Sequence, residues 1–350
     1  MCPTRRTSPL AKRGNREMKS MMRQLTKFLS VGLLISAAAC GKGGVDDFRA
    51  GVPSDSAVQM NAPQKQGAVV GQTSFWWGAT LAATTAVNGG VLAVLDLVHS
   101  VVAQPPTSHP SANVYVWGPG NGSPLDPNVY RLTVTDDQNG TYDYKLEAKG
   151  KNDADTAFVS ILTGQHTPVV TNGANDPQHG NGNFTLNWDA RKTLAAAPKD
   201  AQGNPLQGNW VVSYDHKTAD VQCDVDFNNI LDSNGNAVNA TYHFTQLSAA
   251  DGKFQFSTQA NVDTATSALE QVSVESRWKQ DGSGRSDITV SGGDVVTGQS
   301  GTGSECWDTN FKESFGTITL PGGAGNYTEP AGGDQTSLCA FASAEYYTAG

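Results

Sequence analysis

From residue 113 onward the chain alternates apolar and polar positions with a period of two. Tyr142, Tyr144, Leu146 and Ala148 interleave with Asp143, Lys145, Glu147 and Lys149. Phe184, Leu186, Trp188 and Ala190 interleave with Asn183, Thr185, Asn187 and Asp189, and the pattern recurs across 219–227, 254–262 and 272–278. Alternation of this kind gives strands one wet face and one dry face, as in an antiparallel sheet. The breaks carry Asn139-Gly140, Asn234-Gly235, Asp251-Gly252 and Asp281-Gly282. Those pairs accept the positive φ angles of tight hairpins. The spacing predicts about a dozen strands, mostly joined to their neighbours by hairpins.

Ahead of the strands, Val91, Val94, Leu95, Val98 and Val102 recur at helical spacing within 75–103. Asn88-Gly89-Gly90 predicts a break into two helices, because two adjacent glycines cost about 2 kcal/mol relative to alanines. Pro105-Pro106 ends the segment. Residues 78–102 are long enough to span a membrane, but Asn88, Asp96, His99 and the interspersed hydroxyl residues argue against that. Residues 41–72 lack sustained periodicity and read as a linker. The predicted fold class is therefore mainly β. It comprises a large antiparallel meander, curved or barrel-like, packed on an N-terminal helical segment at 73–104. Residues 105–350 form one β domain with a Gly-rich tail after Pro321.

The N-terminus has a different grammar. Lys27 opens a short apolar run, 28–39, that ends in Ala37-Ala38-Ala39 and is followed by Cys40-Gly41. The run is too short to cross a bilayer, which needs roughly 20 residues, and suits the apolar region of a signal peptide. The stretch resembles the lipobox of bacterial lipoproteins, with Ala37 where that family usually carries leucine. The resemblance implies a signal peptide over 1–39, with translation starting at Met1, Met18, Met21 or Met22. It implies that the Cys40 thiol carries a diacylglycerol and that residues 40–72 tether the protein. It further implies a membrane partner through that lipid and an extracytoplasmic place in the cell envelope, on the outer membrane in preference to the inner.

Charge agrees with export. The chain holds 24 Lys/Arg and 33 Asp/Glu, and residues 1–39 take eight of the basic residues and one of the acidic, leaving the remainder near −16. So acidic a surface repels nucleic acid, which needs a basic patch. It equally disfavours a polybasic membrane contact, so the lipid is the tether.

Motif-borne chemistry is sparse. His99, His109, His166, His179, His216 and His243 show no zinc spacing, and neither His-Glu-x-x-His nor Cys-x-x-Cys occurs. No phosphate loop is present, and Ser300 lacks the second glycine of a nucleophile elbow. The sequence thus assigns no catalytic, cofactor-binding or metal residue, and no cofactor. Asp96 and His99, three apart on a helix, are an acid–base candidate set against a plain solvated face. Asp220, Asp224 and Asp226, with Asn228, Asp232, Asn234 and Asn236 beyond, offer calcium-type oxygens. Asn229 stands where a calcium loop needs glycine, and Gly235 where it needs glutamate. Trp188, Trp210, Tyr214, Tyr242, Phe244, Phe254, Phe256 and Trp278 share the aliphatic phase, so core outweighs a sugar-binding platform. Of Trp76 and Trp77, at most one can face a given side of a helix; packing on the sheet is favoured over a membrane interface.

Export places the cysteines where disulfides persist. With Cys40 lipidated, Cys306 and Cys339 are the expected pair. Cys306 lies out of phase with Trp307, Phe311 and Phe315, and Cys339 sits in the aperiodic tail. Cys223, between Val221 and Val225, is expected as a buried free thiol. The leading functional reading is a lipid-anchored, non-enzymatic envelope protein whose β domain binds an apolar small ligand or an envelope protein. Two alternatives stay open: a secreted hydrolase using carboxylates such as Asp189, Asp215 or Glu275, and a purely structural surface protein.

Overall fold

The computed structural model describes residues 44–348 apart from 65–72, 121–124, 200–202, 232–234, 248–250, 262–265, 324 and 331–332. The expected signal segment, 1–39, and Cys40 lie outside the described residues. Helices α1 (Val45–Ala50), α2 (Asp55–Val58) and α3 (Phe75–Val102) precede the strands. The strands are β1 (Ser108–Ser111), β2 (Val114–Gly120), β3 (Asn128–Asp136), β4 (Tyr142–Gly150), β5 (Val159–Thr171), β6 (Ala174–Asn187), β7 (Asn209–His216) and β8 (Val221–Leu231). They continue as β9 (Ala237–Gln246), β10 (Gly252–Ala260), β11 (Glu270–Trp278), β12 (Gly284–Ser291), β13 (Ser300–Trp307), β14 (Glu313–Thr319) and β15 (Asn326–Glu329). Helix α4 (Trp188–Arg191) follows β6, and α5 (Gln335–Leu338) lies in the tail. The protein is mainly β, antiparallel and meandering, with its helical segment at the N-terminal side. Among the described residues β1 pairs only with β2 and β15 only with β14, so the meander is not closed.

The β region, expected as one domain, divides into two compact units. Among the described residues, the first comprises 44–59 and 87–231, and the second 60–86 and 235–348. Helix α3 contributes its last sixteen residues to the first unit and its first twelve to the second.

In the first unit β2 to β8 each pair with the preceding strand. Alternation sets their register: Trp117, Leu132, Leu146, Leu162, Leu186, Trp210 and Phe227 are successive partners across seven strands. All seven are buried. A one-residue slip would turn that row to water, so the pattern fixes the pairing. Trp188 is buried as expected, but β6 stops at Asn187, whose side chain accepts from Ala190 N at 2.8 Å and caps α4. The Trp188 ring meets Trp210 edge-on at 5.5 Å.

The described part of the expected linker, 44–64, is not a linker. Phe48, Val52, Val58 and Met60 are all buried. The Phe48 ring lies 4.5 Å from Tyr115 and 5.6 Å from Tyr142, and Arg49 Nε donates to Val102 O at 2.9 Å. These contacts are non-local, so no sequence period announces them. Helix α3 also runs unbroken through Asn88-Gly89-Gly90. The glycine cost is about 2 kcal/mol. Burying each of Val87, Val91, Leu95 and Val98 returns about 1.5–3 kcal/mol. Packing wins over propensity. The helix is long and apolar enough to cross a membrane by length and composition, while its Ala83, Val87, Leu95 and Val98 are buried within the protein.

In the second unit β9 to β15 continue the hairpin order. Residues 75–86 of α3 lie on the face carrying Phe254, Ser276, Ser286, Trp278 and Trp307. Thr80 Oγ1 and Ser276 Oγ share a hydrogen bond of 2.6 Å, and Trp77 stacks on Phe311 at 4.5 Å. Trp77 Nε1 donates to Pro63 O at 3.1 Å, so Trp77 is the member of the pair that packs within this unit. Glycine is needed at Gly284, where a Cβ would fall 2.3 Å from the Trp307 ring. Glu305 reaches the start of α3, accepting from Trp76 N at 3.1 Å and from the Ser74 hydroxyl. Burial pushes its carboxyl up to about 7 despite these donors.

Candidate functional site

The outward phase of the first unit builds the candidate site. Register places Thr133, Lys145, Thr163 and Thr185 side by side across β3, β4, β5 and β6. A second row, Thr135, Asp143, Gln165 and Asn183, lies two residues along. Together they line an open hollow of about 640 Å³. Neighbouring strands sit about 4.8 Å apart, so each row is a ladder of polar groups at that spacing. Beneath it Tyr144 is buried, and a Cβ on Gly164 would meet the Tyr144 hydroxyl at 2.5 Å.

Chemically the hollow is a hydrogen-bonding surface. Hydroxyls and amides donate and accept, and Lys145 and Asp143 add one charge of each sign. Lys145 Nζ is already 3.1 Å from Glu147 Oε1. The lining holds one carboxylate, no histidine and no cysteine, so it offers neither a paired-carboxylate arrangement nor a base-activated nucleophile.

On the outer face of the second unit lies a cluster of opposite character. Arg277, Arg285, Asp287, Glu275 and Ser304 are all buried. Asp287 Oδ1 accepts from Arg285 Nε at 2.7 Å and Ser304 Oγ at 2.6 Å. Its Oδ2 accepts from Arg277 Nη2 and Glu345 N, both at 3.0 Å. The tail covers the cluster: Arg285 Nη1 donates to Phe341 O at 3.1 Å, Arg277 Nη2 to Ser343 O at 2.7 Å, and Arg277 Nη1 pairs with Glu345. Cys306 and Cys339 are bonded, and Cys223 is buried and free. Burial pushes the Cys223 thiol up, so it stays protonated. The phase argument for Cys306 needs one correction. A register shift beside Cys306 brings Phe315 directly opposite it, so the two share a face, and Cys306 is buried because the tail lies over it.

The remaining sequence candidates disperse. Asp189 accepts from Lys192 Nζ at 2.6 Å and Gly208 N at 3.2 Å, the lysine holding its carboxyl below the usual range. Asp215 pairs with Lys217 at 2.9 Å. Glu275 belongs to the other unit, where burial raises its pKa and Gln255 Nε2 donates to it at 2.6 Å. Each of the three is occupied locally. Asp224 and Asp226 lie along β8 opposite Ser213 and Val211, while Asp232 and Asn234 fall outside the described residues. Asp96 and His99 are brought together with a third residue that sequence reasoning missed, Asp55 at the start of α2. Nothing local marks Asp55; it lay within the expected linker. His166, also unassigned by sequence, is fully buried 2.7 Å from the Tyr214 hydroxyl, and burial pushes it down to about 4. It is a neutral core residue at pH 7.

No family model, no curated protein and no solved structure matches the chain.

Proposed function

We infer that this is an exported envelope protein, anchored by lipid on Cys40, whose β region is a non-enzymatic binding module for a polar, hydroxyl-rich ligand such as a glycan. The observation that carries the binding reading is the pair of polar ladders lining the hollow. A neutral polyhydroxyl ligand needs donors and acceptors at short, regular spacing, and the ladders supply both. An apolar small ligand fits this surface less well, because hydroxyl, amide and charged side chains make up most of its lining. The 28–41 stretch supports the anchor, and the Cys306–Cys339 bond is consistent with an oxidising compartment.

The test is a glycan array probed with the intact protein, followed by calorimetric titration of the best binder. Thr163→Leu combined with Asn183→Leu should weaken binding by about 10-fold or more, since each lost hydrogen bond is worth about 1 kcal/mol and the new side chains block others. Both positions are on the solvent face, so thermal unfolding should be unchanged. Undiminished affinity in the double variant, or no glycan bound by the parent, contradicts the reading.

A further inference from the structure

Helix α3 carries Asp96 and His99 one turn apart near its C-terminal end, and Asp55 opens α2. One ligand atom from each of the three lies within 4.8 Å of the other two. His99 Nε2 donates to Pro53 O at 2.9 Å, which turns Nδ1 toward Asp55 Oδ1, 3.8 Å away. That separation is too long for a hydrogen bond. Asp55 Oδ1 is itself out of reach of solvent and has no hydrogen-bond partner among the described residues. The two side chains are within ion-pair distance, yet that oxygen is left without a hydrogen bond on a carboxylate whose other side is open to solvent.

We propose that Asp55, Asp96 and His99 form a binding site for a divalent transition metal of the zinc type. Neutral imidazole bound through one nitrogen, with the other donating to a backbone carbonyl, is the arrangement metal-ligating histidines adopt. A mixed nitrogen and carboxylate set suits zinc and its neighbours better than calcium or magnesium, which take oxygen shells. A zinc ion 2.0–2.2 Å from each ligand needs the three atoms roughly 3.4 Å apart, so a contraction of about an ångström from the widest allowed spacing closes the site. The metal would neutralise two neighbouring carboxylates and satisfy the orphaned Asp55 oxygen. It would also fasten the N-terminal segment, next to the anchor, to the end of α3.

The test is calorimetric titration of Zn²⁺ into the full-length, tag-free protein carrying His179→Ala. That background removes a competing cluster, in which the His179 and His216 rings lie 4.8 Å apart and His179 Nδ1 is 2.9 Å from Asp176 Oδ2. The parent should bind one zinc per chain and melt at a higher temperature with zinc than with chelator. Asp96→Asn, at an exposed position, should leave the chelator-treated melting temperature unchanged, weaken zinc binding about tenfold or more and abolish the zinc-dependent rise. Asp55→Asn should do the same to affinity. Absence of zinc binding by the parent overturns the proposal, and so does equal affinity in parent and Asp96→Asn.

Discussion

Replacing Asp287 with alanine is expected to cost about 3–5 kcal/mol of unfolding free energy. Asp287 is fully buried and accepts four hydrogen bonds, from Arg285, Arg277, Ser304 and the Glu345 backbone. Its removal leaves two guanidiniums out of water without their central counter-charge. The cost arises from that orphaned charge, not from the intrinsic worth of the pair, since intact buried ion pairs contribute little net stability. Asp287→Asn, which keeps the shape and one acceptor, should lose less. Urea unfolding followed by tryptophan fluorescence measures both, and a loss below about 1 kcal/mol in the alanine variant would show that the cluster is not electrostatically closed.

Opening the Cys306–Cys339 bond is expected to cost about 3–4 kcal/mol, the loop-closure value for a bridge across 33 residues. The effect should be local in its first expression. Residues 339–345 hold the second unit through the disulfide and through contacts to Arg277 and Arg285, so losing the bridge makes the tail the weakest part of that unit. Reduction of the intact protein and the Cys306→Ala, Cys339→Ala variant should show the same loss, and both should expose amides of 340–347 to hydrogen exchange. Comparing the two separates the bridge from the small cavity that the alanines leave. Unchanged exchange in the tail after verified reduction would contradict the assignment of the tail as a pinned cover.

Much of the fold is legible in the chain because one face of each strand must be dry. Tyr144, Leu146, Cys223, Phe256 and Trp278 are buried on the phase that alternation predicts. Where the prediction falls short, the cause is non-local. Phe48, Val58 and Met60 become core only because distant strands supply partners, and Gly89-Gly90 stay helical only because the flanking valines are buried. The charged cluster is the clearest case. Arg277, Glu275, Arg285 and Asp287 occupy the wet phase of β11 and β12 and read as solvated, yet an aperiodic tail closes over them. The candidate hollow was readable in part, since its threonines sit on the polar phase, but the ladders exist only through register. Asp55 could not be read from sequence: its two partners lie more than forty residues away on another helix.

The central claim is an envelope protein held by lipid on Cys40, and the most direct measurement is mass analysis of the N-terminal peptide of protein taken from the membrane fraction of a bacterial host. The account predicts a chain beginning at Cys40 with a diacylglycerol on its thiol, and a Cys40→Ser form that is either unprocessed or released from the membrane. A membrane-bound mature chain that begins elsewhere without lipid, or a processed Cys40→Ser protein that still sediments with membranes, would contradict it.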